Sequence, residues 1–333
     1  MNSAAAGAII AFAIGFGATS VEAAEIRLAE QFSMGYLQFN VMKRDRLIEK
    51  YAGQRGLKDF KVSWQRFNGP AAMNEALLSG STDVVAGGVP GLITLWDKTQ
   101  GTSFEVKGIC ALSSQPFLLN TSDPAIKSIK DFSDRDRIAV PAIKVSVQAV
   151  VLQMAVAAAF GEENYAKLDP LTVSMSPPDA TIALLTGSGN ITTVFSVPPF
   201  QFQQLEHPGV HTVLNSFDVM GGPHTFTVIW TSRKFREANP KTYNAVLAAL
   251  QEATEILNHD KRAAAQMWIE QTKSNLTVDW LYKIVSSPQV QFTLVPNNTT
   301  KYSDFMHKVG SIKKKPASWK DLFFPEIHGV QGS

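Results

Sequence analysis

The residues best placed to do chemistry in this 333-residue chain are small ones at turns. Asn68-Gly69 and Gly87-Gly88 each stand between a β-rich run and a helical run. Without a Cβ, glycine lets backbone amides come close to a ligand. The first amides of a helix lack internal acceptors, and together with the helix dipole they favour an anion. Ile138–Val140 leads through Pro141 to a third such helix start, where Lys144 and Ser146 add a charge and a hydroxyl. Phe32 and Tyr36 follow the first β-rich run, and Phe195 and Phe200 flank a later turn. Such rings can wall the apolar part of a ligand. The pattern predicts a site for a small, anionic molecule.

Reactive groups are sparse. The sequence has no G-x-S-x-G, no P-loop, no H-E-x-x-H and no C-x-x-C. His207 and His211 have helical spacing, but Pro208-Gly209 between them breaks a helix, so no metal site is expected there. The single cysteine, Cys110, lies in an apolar run and reads as a buried strand residue. These features predict a binding protein and not an enzyme, without cofactor or metal.

The elements that would position the turns alternate in type. Ile26–Glu30, Lys61–Phe67 and Asp83–Ala86 read as strands. Leu37, Val41, Ile48 and Tyr51 mark one face of a helix between the first two. Alternation of this kind predicts an α/β protein with parallel sheets and crossover helices. The unit also recurs. Ala76-Leu77-Leu78-Ser79-Gly80-Ser81 is matched 107 residues later by Ala183-Leu184-Leu185-Thr186-Gly187-Ser188. Each copy follows a turn containing proline, continues into a short strand and reaches Val-Pro, at Val89-Pro90 and Val197-Pro198. One repeat at this distance predicts two related lobes, because a solenoid repeats every ~20–50 residues. Leu112–Asn120 and Gly222–Trp230 read as the two crossings between them. Lobe 1 is then 24–112 plus 222–333, and lobe 2 is 113–221. Beyond Asn239-Pro240 the chain reads as mainly helical, with Asp260, Thr277 and Ser318 as candidate N-caps.

Residues 1–23 differ from the rest. Ala4 to Ala18 carries no charge, and Val21-Glu22-Ala23 supplies a cleavage-like site. The run is shorter than the ~20 residues of a spanning helix, so it reads as a signal peptide for export to the periplasm. The formal charge of +2 is too small for a nucleic-acid footprint.

The run Asn68-Gly69-Pro70, Glu75 to Gly80, Asp83, Gly87-Gly88 and Pro90 resembles the nitrate/sulfonate/taurine group of ABC-transporter periplasmic binding proteins. Ile138 to Pro141 with Ser146, Val197-Pro198-Pro199, and Phe235 to Pro240 extend the resemblance over nearly the whole mature chain. It implies a class II periplasmic-binding-protein fold with two doubly wound lobes on a two-strand hinge. It also implies a monomer that closes like a Venus flytrap on a sulfonate or carboxylate and delivers it to an ABC permease and ATPase. By position it implies ligand contacts from Phe32, Ser33 and Tyr36, from Asn68 and Gly69, and from Gly87 and Gly88. Ser113, Ser114 and Gln115, then Lys144, Val145 and Ser146, then Phe195, Pro198, His224 and Thr225 complete the set. Related proteins also include pyrimidine (thiamine-precursor) binders and same-fold enzymes such as desulfinases. A reactive Cys110 would point to the latter.

Overall fold

The computed structural model describes residues 25–333, so the predicted signal peptide lies outside the described residues. Its strands are β1 (Glu25–Glu30), β2 (Lys61–Arg66), β3 (Val84–Gly88), β4 (Val106–Ser114), β5 (Leu118–Thr121), β6 (Ile138–Val140), β7 (Thr172–Ser174), β8 (Thr193–Phe195), β9 (His211–Asn215), β10 (Thr225–Ser232) and β11 (Gln291–Phe292). They form two sheets, ordered β11-β4-β10-β3-β1-β2 and β7-β6-β8-β5-β9. In the first, β1 is parallel to β2 and β3, and β10 lies antiparallel between β3 and β4. In the second, β6 is parallel to β7 and β8, and β5 lies antiparallel between β8 and β9.

One plan is therefore used twice. Three parallel strands run in the order second, first, third, followed by an antiparallel strand and then a fourth. In each sheet the antiparallel strand has just arrived from the other sheet. β5 follows β4 across Gln115–Phe117, and β10 follows β9 across the short helix Ser216–Met220. The molecule is thus a mixed α/β protein of two sheets, with the chain passing between them twice.

Three local expectations change. Leu112–Asn120 is not one crossing strand: its first residues end β4, and β5 begins at Leu118. Gly87 and Gly88 are the last residues of β3 and not a loop, because they pair with Val228 and Thr227 of β10. The helix predicted across Leu37–Tyr51 is two, Leu37–Asp45 and Leu47–Gln54, broken where Arg46 takes a left-handed conformation at φ 50°. After the break Leu47 and Ile48 are again buried. The candidate caps hold: Asp260, Thr277 and Ser318 each accept from a backbone amide in the first turn of the helix they open.

Strand alternation sorts the core of the second sheet. Ile138 and Val140 face the large cluster containing the helix Val147–Phe160, whereas Ala139 and Val194 face a smaller one with the helix Pro177–Thr186. The helix Val147–Phe160 has no polar stripe, which is the pattern of a helix covered on several sides. It packs on the helices Val89–Thr99 and Thr299–Lys308, which belong with the first sheet. The large apolar cluster therefore runs across both sheets.

Candidate functional site

Four helices begin on one cavity between the sheets. Pro70 is the first residue of the helix Pro70–Ser79, and Gly88 caps the helix Val89–Thr99. Ser146 caps the helix Val147–Phe160, and Pro177 opens the helix Pro177–Thr186. All of them line the cavity, with Val147 and Gln148. Proline suits the first turn, because its missing N–H would have no helical acceptor there. Each start carries roughly +0.5 of an elementary charge from its peptide dipoles. The wall contains no ionisable acid and no cation, since its other members are Gln31, Phe32, Tyr36, Pro141, Val145, Val197 and Phe226. The result is a wall that is neutral by formal charge and positive by dipole.

Caps differ between the two sides. Gly69 and Gly88, on the first sheet, offer no side-chain cap. On the second sheet the Ser146 hydroxyl accepts from the Ala149 amide at 3.3 Å, and the Ser176 hydroxyl accepts from the Asp179 amide at 3.4 Å. Tyr36 is buried, and its phenol is pushed well above its usual range by burial and by the nearby Glu30 carboxylate. It is therefore a neutral hydroxyl.

The two sides touch closely. The Met34 amide and the Ser33 hydroxyl both donate to the Pro198 carbonyl, at 3.1 and 3.2 Å. A Cβ added at Gly88 would stand 2.8 Å from Val147 Cβ, and one added at Gly69 would stand 2.7 Å from the Pro141 carbonyl oxygen. Further out, the Trp280 indole donates to Glu206, and Lys308 pairs with Glu162. The space open to the centre of a water-sized sphere is about 20 Å3. One water needs roughly 10–15 Å3 on that measure, so the cavity has the size of one or two waters.

The residues singled out from sequence fall into three groups. Phe32, Tyr36, Gly88, Val145 and Ser146 line the cavity. Asn68 and Gly69 line a neighbouring groove, while Ser33 and Pro198 join the two sides. The rest lie elsewhere. Gly87 faces Gln31, Met73 and Trp230, so it serves packing within the first sheet. Ser113 is buried and bonded to the Thr227 hydroxyl at 2.6 Å. The Ser114 hydroxyl and the Gln115 carbonyl oxygen are buried without a protein partner. Phe195 is fully buried against Phe117, with ring centroids 5.4 Å apart. Lys144 is exposed, outside the cavity wall, and its charge acts on Asp169. His224 contacts Tyr302 at 2.8 Å and Ser216 at 3.0 Å, and burial pushes its imidazole down to about 4. Thr225 exchanges bonds with Asn297, at 2.9 Å from its amide and 2.7 Å to its hydroxyl. Cys110 is buried in β4, and burial raises its thiol far above the range of a nucleophilic cysteine.

Pro70, Pro141, Val147, Gln148, Pro177, Val197 and Phe226 line the cavity without having been singled out as contacts. Most sit one or two positions from a residue that was. The available signal was that a helix start presents its first residues together with its cap.

A protein with this doubled sheet plan and a cavity between the sheets has the periplasmic-binding-protein fold. The alkanesulfonate-binding protein SsuA from Xanthomonas axonopodis pv. citri, solved bound to MOPS, is similar over 88% of this chain and 96% of its own, with a TM-score of 0.69 and 17% identity. The periplasmic aliphatic sulphonate binding protein SsuA from Escherichia coli matches 91% of this chain and 92% of its own, with a TM-score of 0.63 and 18% identity. The periplasmic nitrate-binding protein NrtA from Synechocystis PCC 6803 matches 78% and 69%, with a TM-score of 0.59 and 15% identity. No curated protein sequence matches the chain. The model of the NMT1-like family matches residues 20–270, and the chain belongs to that family. The resemblance to nitrate- and sulfonate-binding proteins read from the sequence is borne out. Among the described residues no helix is long and apolar enough to cross a membrane.

Proposed function

We propose that this chain is the exported solute-binding component of an ABC importer and captures a small organic anion, a sulfonate or carboxylate, between two lobes. The lobes are 24–112 with 222–333, and 113–221, and the two crossings act as their hinge. The observation that carries the reading is the convergence of four helix starts, two from each sheet, on a wall without a formal charge. Such a wall favours a negative group and leaves no cation inside to compete for water.

The acidic head would meet the amides at Gly88–Val89 and Val147–Gln148, with the hydroxyls of Tyr36 and Ser146 beside them. Phe32, Val145, Val197 and Phe226 would wall the remainder. A cavity the size of one or two waters cannot admit such a ligand from solvent, so the lobes must part for entry and close afterwards. A ligand that binds the closed form better shifts the population toward it. Lys144, exposed and outside the wall, has no place in this account. The chain would work as a monomer in the periplasm, without cofactor or catalytic step, and hand its ligand to a permease and ATPase.

The test is a thermal-shift screen over sulfonates, aromatic carboxylates, nitrate and pyrimidines. A true ligand at 100 times its Kd stabilises by ~2.7 kcal/mol, a shift of several degrees. Stabilisation by neutral pyrimidines and by no anion would overturn the reading.

A further inference from the structure

A charged cluster lies behind Phe32, one of the wall residues of the cavity. Glu30 ends β1 and Arg66 ends β2, and the two are register partners. Arg66 Nη2 and Lys43 Nζ both lie 2.7 Å from the same oxygen, Glu30 Oε1. The Glu30 side chain is only 5% exposed and that of Arg66 is 37% exposed. One carboxylate thus serves two cations, which leaves the group with one surplus positive charge. Among the described residues Arg66 has no other ion-pair partner. Its guanidinium lies 5.1 Å from the ring centroid of Phe32, a wall residue of the cavity.

Arg66 also lines a groove of about 760 Å3 that runs outward between the lobes. The groove shares Pro141 with the cavity and is bordered by Asn68, Gly69, Ser174 and Asp179. The groove gives a ligand larger than a few atoms room to extend beyond the cavity. Asp179 is the other charge on the groove. Its carboxylate accepts from the Ser176 hydroxyl at 2.5 Å, and it sits in the first turn of the helix Pro177–Thr186, where the dipole offsets part of its charge. The groove therefore carries the surplus positive charge of the Glu30 cluster, at Arg66, and faces an Asp179 carboxylate whose charge the helix start offsets by about half.

We infer that Arg66 selects ligands with a second acidic group, so that the preferred substrate is a short dianion with its head in the cavity and its second acid in the groove. This rests on the anion-capture reading and sharpens it. Arg66 uses one of its five N–H donors on Glu30, so the rest of the planar fork stays available for a carboxylate or sulfonate. Arg66→Gln leaves Lys43 on Glu30, so the buried carboxylate keeps a cation.

The experiment is titration calorimetry on the full chain with two matched sets: ethanesulfonate, sulfoacetate and taurine, then butyrate, succinate and 4-aminobutyrate. Each set holds a monoanion, a dianion and a zwitterion of one chain length. The dianion in at least one set should bind tenfold or more tighter than its monoanion. Arg66→Gln should remove that preference while changing monoanion affinity less than about threefold, and Arg66→Lys should restore part of it. Equal binding of dianion and monoanion, or a preference that survives Arg66→Gln with a folded circular-dichroism spectrum, overturns the inference and leaves anion capture standing. Preference for the zwitterion assigns selection to Asp179 and also overturns it. Failure of all six to bind, joined to a screen in which no anion stabilises, sinks both.

Discussion

The crossing and the cleft both join the two sheets, but they treat polar groups in opposite ways. At the crossing, His224 is held by Tyr302 and Ser216, and Thr225 by Asn297, all within the chain. At the cleft, the helices starting at Pro70 and Val89 are preceded by glycines that supply no side-chain cap. A polar group with every partner inside the chain fixes geometry. An amide left without an internal acceptor is available to a ligand. The difference separates residues that looked alike in sequence: His224 and Thr225 hold the connection, whereas Gly88 and Val147 border the cavity.

The largest expected effect strikes the crossing. The His224 imidazole is held at about 4, against an ordinary value of 6.5. Burial is the main cause, and Lys301 adds to it. Below pH 6.5 the unfolded chain takes up a proton that the folded chain refuses until about pH 4. Stability should therefore be full above pH 6.5 and fall as pH drops through that window, by up to about 3 kcal/mol. His224→Gln should flatten this step in denaturant titrations run from pH 7 to 4. An unchanged step would show that the crossing does not depend on a neutral imidazole.

Next is the cleft itself. Gly88→Ala puts a Cβ 2.8 Å from Val147 Cβ. It should weaken ligand binding tenfold or more, about 1.4 kcal/mol, while melting of the free protein changes little. A large melting change with intact affinity would place Gly88 with the structural residues. Ser146→Ala removes the cap on the Ala149 amide and should cost ~1 kcal/mol of stability, read from chemical denaturation. Lys144→Ala, on an exposed side chain outside the cavity, should change affinity less than twofold. A tenfold loss would return the anion's charge partner to Lys144.

The strand-turn-helix order, the repeat and the caps at Asp260, Thr277 and Ser318 were legible because they depend on local spacing. Buried Cys110 was legible for the same reason. What separated Phe195 from Phe32 was not. Both are aromatics at or just after strand ends, and only the pairing of β8 with β5 turns Phe195 onto Phe117, while Phe32 stays on the cavity wall. Gly87 and Gly88 look identical in sequence, yet the alternation of β3 sends one toward Trp230 and the other toward Val147. The break at Arg46 carries no glycine or proline to announce it. Arg66 was passed over because its meaning lies in the register that sets it opposite Glu30.

The central claim, that dipoles at converging helix starts capture an anion, is tested most directly by comparing each bound sulfonate or carboxylate with its uncharged amide of the same shape. Titration calorimetry at constant ionic strength is the measurement. The account predicts that the acid binds at least tenfold more tightly than the amide and that Gly88→Ala weakens the acid. Equal affinity for acid and amide would contradict it.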